Sequence, residues 1–166
     1  MFELKPISHE SVPGALAKVE RYRLLNDPWE AESICRDILA IEPDHQQARI
    51  SLILALADQI ADEPTAFSNA LTAVDLLESR YDRVYYAGIV WERRAKARHH
   101  GGGQGAHHYV YEWIVKAMEL FEDAEPLRAP GNDDAVVRWN ACVRFLWHHK
   151  ELVPRTEDIA EPIVSE

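Results

Sequence analysis

Histidine gives this chain its most chemically capable cluster. His99, His100, His107 and His108 flank a run of glycines, and His148 and His149 form a further pair. Neutral imidazoles are common ligands for zinc, nickel and copper. Glu112 follows His108 by four residues, which puts an imidazole and a carboxylate one helical turn apart on the same face. The candidate ligands are therefore His99, His100, His107, His108 and Glu112. A working metal centre also needs ligands held in fixed positions by neighbouring groups. Arms carried by Gly101-Gly102-Gly103-Gln104-Gly105 do not supply that rigidity. The expectation is a solvated loop in the region 99–108, with no resident metal and no cofactor; a metal-binding or metal-dependent protein using this loop is the alternative.

No other constellation points to an enzyme. The glycine run lacks both a preceding strand and a following Lys-Ser/Thr, so it does not fit a phosphate-binding loop. Cys35 and Cys142 fall on the apolar faces of predicted helices and read as small core residues in a reducing compartment, with no local histidine to activate either thiol. Asp75, Glu78, Asp123 and Glu125 read as solvated helix faces. Arg93, Arg94, Lys96 and Arg98 form a local basic run near a predicted helix end, where cations complement the negative pole of the helix dipole.

The formal net charge is −10. Such a balance opposes binding to a phosphate backbone, which requires clustered cations that release counterions. No apolar run approaches the ~20 residues needed to cross a bilayer, and the first residues, Met1-Phe2-Glu3-Leu4-Lys5-Pro6, do not form a secretory signal. A cytoplasmic protein that binds neither nucleic acid nor membrane is expected.

A helical period runs through the whole chain, and it sets out the elements that must position these side chains. Helices are predicted over about 12–25, 28–42, 44–60, 65–79, 82–97, 107–124 and 134–151. Asp27, Pro28 and Glu30 carry the cap, first-turn proline and capping-box acid of the second helix. Asp44 is expected to cap the third, and Asn132, Asp133 or Asp134 the seventh. The second helix carries Ala31, Ile34, Cys35, Ile38 and Leu39 on one stripe.

The first helices of successive pairs share a pattern. Val19, Gly88 and Cys142 each stand three positions before a large aromatic residue, Tyr22, Trp91 and Phe145 respectively. Small and aromatic residues then share a face, where the slim one admits a neighbouring helix and the ring fills the space beside it. Tyr22, Ala31, Ile38 and Pro43 of the first pair, and Gly88 and Trp91 of the third, resemble tetratricopeptide repeats, whose unit is a helix–turn–helix of about 34 residues. Lys116-Ala117-Met118-Glu119-Leu120 resembles the end of a repeat's second helix, and the last helix resembles an unpaired closing helix. The second pair departs, with Ile53 where glycine is usual. The third carries the Gly/His insertion and has Glu122 in place of the closing proline.

The resemblance implies an all-α helical-hairpin repeat superhelix with about three helix pairs and a C-terminal capping helix, seven helices in all. Its parts are an N-terminal extension (1–11), a repeat domain (12–151) and an acidic, proline-containing tail (152–166). The units span about 12–45, 46–81 and 82–126, and the capping helix spans 133–151.

Such superhelices act as adaptors or scaffolds, binding a protein, peptide or helix in a concave groove lined by the first helices of the pairs. Here the register predicts Leu16, Glu20, Ile50, Leu54, Tyr85, Ile89, Glu92, Trp139, Val143 and Leu146 along that groove, an apolar strip with acidic edges. Some members clamp the C-terminal carboxylate of chaperone tails. The corresponding slots here hold Leu16, Glu20, Ser51, Asp82 and Tyr86, which offer no cation to a carboxylate. The tail, with Leu152-Val153-Pro154 and Ile159 to Val164, is expected to be extended or disordered when unbound. It provides two further uses of the groove: self-occlusion, or a homodimer in which the tail enters a neighbour. A structural homo-oligomer built through the same groove is the remaining alternative.

Overall fold

The chain, as described by a computed structural model covering residues 2–103 and 105–155, is all-helical, with no strand among those residues. Its helices are α1 (Val12–Leu24), α2 (Pro28–Ile41), α3 (Gln46–Asp58), α4 (Ala66–Asp75), α5 (Arg80–Gly101), α6 (Ala106–Ala124) and α7 (Asp134–His148). Short 3-10 turns stand at His9–Ser11 and Glu125–Leu127.

Local polar chemistry sets several boundaries. The Asp27 carboxylate accepts from the backbone N–H of Glu30 at 3.4 Å, with Pro28 opening α2. The expected cap of α3 moves by one residue: His45, not Asp44, precedes the helix, and its Nδ1 accepts from the N–H of Ala48 at 3.1 Å. At the start of α7, Asn132 Oδ1 accepts from Asp134 N–H at 3.0 Å.

Two helix ends differ usefully from the sequence reading. α4 stops at Asp75, well short of residue 79. The linker that follows finds partners outside a helix: Arg83 donates to the carbonyls of Leu77 and Glu78 at 2.6 and 3.0 Å, and Gln46 accepts from Glu78 N–H at 3.0 Å. Ser79 is thereby freed to cap α5, accepting from Asp82 N–H at 3.1 Å. At its other end α5 runs on through His99 and His100 to Gly101, beyond the expected stop at residue 97. The break falls at Gly102, whose φ of +63° suits glycine and whose N–H bonds back to the Arg98 carbonyl.

Each helix packs on the next, and α1 also touches α3 as α3 touches α5. One core joins α1 to α5 through Val19, Ala31, Cys35, Leu52, Ile53, Val74, Leu77 and Val90. A second, around Phe121, Ile89, Val110, Ile114 and Cys142, joins α5, α6 and α7. A smaller cluster of Val12, Ile38 and Ala48 closes the amino-terminal end. The slim residues Val19, Gly88 and Cys142 are all buried. At Gly88 the reason is explicit, because a β-carbon there would lie 2.6 Å from Phe121 Cε1, so glycine is what lets α6 lie against α5. None of the helices is long and apolar enough to cross a membrane, among the described residues.

Candidate functional site

The basic run on α5 divides by helical geometry. Residues three or four apart share a face and adjacent ones do not, so Arg93 and Lys96 project to one side and Arg94 and Arg98 to the other. Arg94 lies between the Phe67 and Trp113 rings, 3.9 and 4.1 Å from their centroids, and with Arg98 it borders a recess of about 360 Å³ that Ile60 and Pro64 also line. Burial holds the Arg94 pKa below its ordinary value. The rings favour its cation face-on.

Arg93 and Lys96 face a larger recess, about 470 Å³, formed where α1, α3 and α5 end side by side. Arg23 from the last turn of α1, Asp58 closing α3, and Arg93, Lys96 and His100 from α5 line it. Asp58 sits at the negative pole of its own helix, an unfavourable place for a carboxylate. Two guanidiniums offset this: Arg23 Nε donates to Asp58 Oδ2 at 3.0 Å, and Arg93 Nη1 stands 3.5 Å from Oδ1. Arg23 also lies 4.0 Å from Glu20. Three cations and one carboxylate thus line the wall, in a chain whose net charge is −10, while Glu20 beside Arg23 and Glu92 behind Lys96 offset part of that charge.

Behind Lys96 lies Glu92, only 1 % exposed. Its Oε1 pairs with Lys96 and is 3.7 Å from Arg138 of α7, while Oε2 has no hydrogen-bond partner among the described residues. A buried carboxylate is tolerated only with such counter-charges. They tie α5 to α7 and leave the Lys96 side chain one-third exposed at the recess.

The side chains expected along an apolar groove are mostly engaged between helices. Leu16 packs with Val12, Ile38 and Ala48; Ile50 packs on the first core; Leu54, Tyr85, Trp139 and Leu146 pack on the second. Val143 is half-buried and Glu20 is exposed. Ile89, 2 % exposed, and Glu92 are corrections to the open-groove expectation. The stripe of α5 that carries them is covered by the packing of α6 and α7, with Ile89 in the second core and Glu92 beneath Lys96 and Arg138. Arg23, Asp58 and Arg138 were not singled out from the sequence. Their signal was available in part, because Arg23 and Asp58 occupy the same level at the ends of α1 and α3, one pair apart.

The histidines are also redistributed. His99 meets His149 and Glu151 from the end of α7, not the loop histidines. His100 Nδ1 donates to the Lys96 carbonyl at 2.7 Å, and His108 Nδ1 donates to the Val153 carbonyl at 3.0 Å. Glu112 pairs with Arg155 at 3.2 Å, and His107 is exposed. Of the candidate ligands His99, His100, His107, His108 and Glu112, only His99 belongs to a group close enough to share an ion, among the described residues, while His108 and Glu112 are held by Val153 and Arg155. Burial, and then His149, holds His99 below the usual histidine range.

The start of the tail lies along α6. Leu152 enters the second core, and Arg155 stacks over Tyr109 with its guanidinium 4.5 Å from the ring centroid. Residues 156–166, on which the rest of the self-occlusion and homodimer expectations fall, lie outside the described residues.

Cys35 and Cys142 are unpaired and fully buried, and burial pushes both thiols up to about 12. At neutral pH they are therefore poor nucleophiles. No protein-family model, curated protein or solved structure matches the chain.

Proposed function

We propose that the seven helices form a tetratricopeptide-type superhelix of three hairpins and a closing helix, and that the protein is a non-enzymatic adaptor. The recess between α1, α3 and α5 receives an acidic segment of a partner protein. The observation that carries this reading is that Arg93, 40 % exposed, and Lys96, 33 % exposed, open with Arg23 onto one recess whose lining holds a single carboxylate, Asp58. In an otherwise anionic molecule, cations gathered at one recess favour an acidic partner there, and the anionic surface elsewhere repels it.

This differs from the carboxylate clamp of the resembled family. The slots of that clamp, Leu16, Glu20, Ser51, Asp82 and Tyr86, carry no cation, and the charges used here belong to the helix ends. The apolar strip becomes the support: by packing between helices it fixes the backbone that holds the cations. A reducing, cytoplasmic setting fits two unpaired buried thiols, and the overall charge disfavours nucleic acid and anionic membrane surfaces.

Selection of peptides from a random displayed library, carried out in chelator, tests the reading. Enriched peptides should carry clustered Asp and Glu. They should bind less tightly as salt rises and lose about tenfold in affinity, ~1.4 kcal/mol, on Arg93→Ala. Enrichment without an acidic bias, or affinity indifferent to Arg93→Ala, would remove the recess as the binding site.

A further inference from the structure

The geometry points to a divalent transition-metal site, of the kind zinc occupies, formed by His99, His149 and Glu151 and clasping the end of α5 to the end of α7. One ligand atom from each residue lies within 4.8 Å of the other two. Ligands around a tetrahedral ion at ~2.1 Å stand ~3.4 Å apart, so small side-chain rotations close the set. Two imidazoles and a carboxylate suit zinc, cobalt or nickel better than a hard cation such as magnesium.

Two of the three arms stand on helix ends. His99 belongs to α5, and His149 caps α7, with its N–H bonded to the Phe145 carbonyl at 3.0 Å. Phe145 packs against both rings, at 5.4 Å from His99 and 4.6 Å from His149 between centroids, and the two imidazoles are 4.3 Å apart. Packing therefore fixes the rings independently of any ion. Glu151, more exposed and 3.2 Å from His149 Nδ1, is free to adjust. Both helices present their C-terminal, negative ends here, which favours a cation. Lys96, one turn before His99–His100, is paired with Glu92; Lys150 is exposed. Three protein ligands leave a coordination position open to water.

This site is separate from the acidic-partner recess, so either can fail alone. The test uses the full chain freed of metal by chelator and then titrated with zinc chloride by calorimetry and with cobalt chloride by visible absorption. The result expected is one zinc per chain, cobalt bands of a four- or five-coordinate ion, and a melting temperature that rises with zinc. His99→Gln and His149→Gln should each weaken binding at least tenfold. His107→Gln/His108→Gln should leave it unchanged. His149, one-quarter exposed beyond the last turn of α7, is a second ligand whose replacement keeps the test readable if His99→Gln does not fold. No saturable binding by the wild type, or binding that survives His149→Gln, overturns the site; so does binding lost to the same degree in the loop variant.

Discussion

The two cores are made of different material. The one joining α1 to α5 buries no ring completely: alanines at 31, 55, 57, 70 and 73 lie among Val19, Leu52, Ile53 and Leu77, and Tyr22, Phe67 and Tyr86 are only partly buried at its edge. Its buried polar groups are few, and Gln59 is satisfied by Glu32 at 2.7 Å and the Ala55 carbonyl at 3.2 Å. The core of α5, α6 and α7 encloses one large ring, Phe121, with Tyr85 against it, and carries Trp91, Trp113, Trp139 and Phe145 partly buried at its edge; Glu92 is buried on the same side of α5. Small aliphatic packing gives helix-to-helix spacing and nothing to react with. Rings and an enclosed charge demand specific partners: Glu92 takes Lys96 and Arg138, and Phe145 packs on His99 and His149. The chemistry of the protein thus gathers on α5, the helix shared by both cores.

Substitutions can break this contrast, beginning with the largest effect. Phe121→Ala empties the centre of the aromatic core and should cost ~3–5 kcal/mol of stability, measured as a lower urea midpoint. A cost comparable to that of an exposed residue would mean the second core does not cohere around this ring. Lys96→Ala leaves Glu92 buried without its closest counter-charge and should cost ~3 kcal/mol. Arg36→Ala, which removes an exposed guanidinium from a Glu32 that keeps its bond from Gln59 in the aliphatic half, should cost under ~1 kcal/mol. Equal losses in this pair of variants would erase the distinction between the halves. Gly88→Ala drives a methyl group into Phe121 and should cost ~1–3 kcal/mol, although alanine is the better helix former.

Alkaline pH sharpens the comparison differently, because it acts on both cores. Cys35 lies in the aliphatic core and Cys142 in the aromatic one, each pushed by burial to about 12 from 9.0, and Tyr86 between them rises to about 12 from 10.0. The folded chain holds these protons more tightly than the unfolded chain. Their contribution is fully present below about pH 9 and is lost as the pH climbs toward about 12. Urea midpoints should therefore fall across that window, and thiol labelling should track unfolding at both cysteines. A flat midpoint with rapid labelling at neutral pH would show open cores.

The helices were legible in the sequence because their signals are local. Asp27, Pro28 and Glu30 announce α2 within four residues, and Gly88 three places before Trp91 announces a close approach. The ends of α4 and α5 were less legible. Leu77 continues the apolar stripe of α4, yet the chain leaves the helix because Arg83 and Gln46 bond the linker. Around His99 the glycines looked like the boundary, whereas only Gly102 is the stop. The recess and the metal triad depend on contacts across the fold: Arg23 meets Asp58, and His99 meets His149, through the packing of helices distant in sequence. Glu92 read as the polar edge of a groove because periodicity locates a face without saying which neighbour covers it.

The central claim is that the ends of α1, α3 and α5 receive an acidic segment. The most direct measurement is the fluorescence anisotropy of a labelled peptide enriched from the displayed library, titrated with wild type and Arg93→Ala across a salt series in chelator. The account predicts tight binding at low salt, a steep decline with salt, and about a tenfold loss in the variant, with circular dichroism unchanged. Binding that is flat with salt and equal in the two proteins would contradict it.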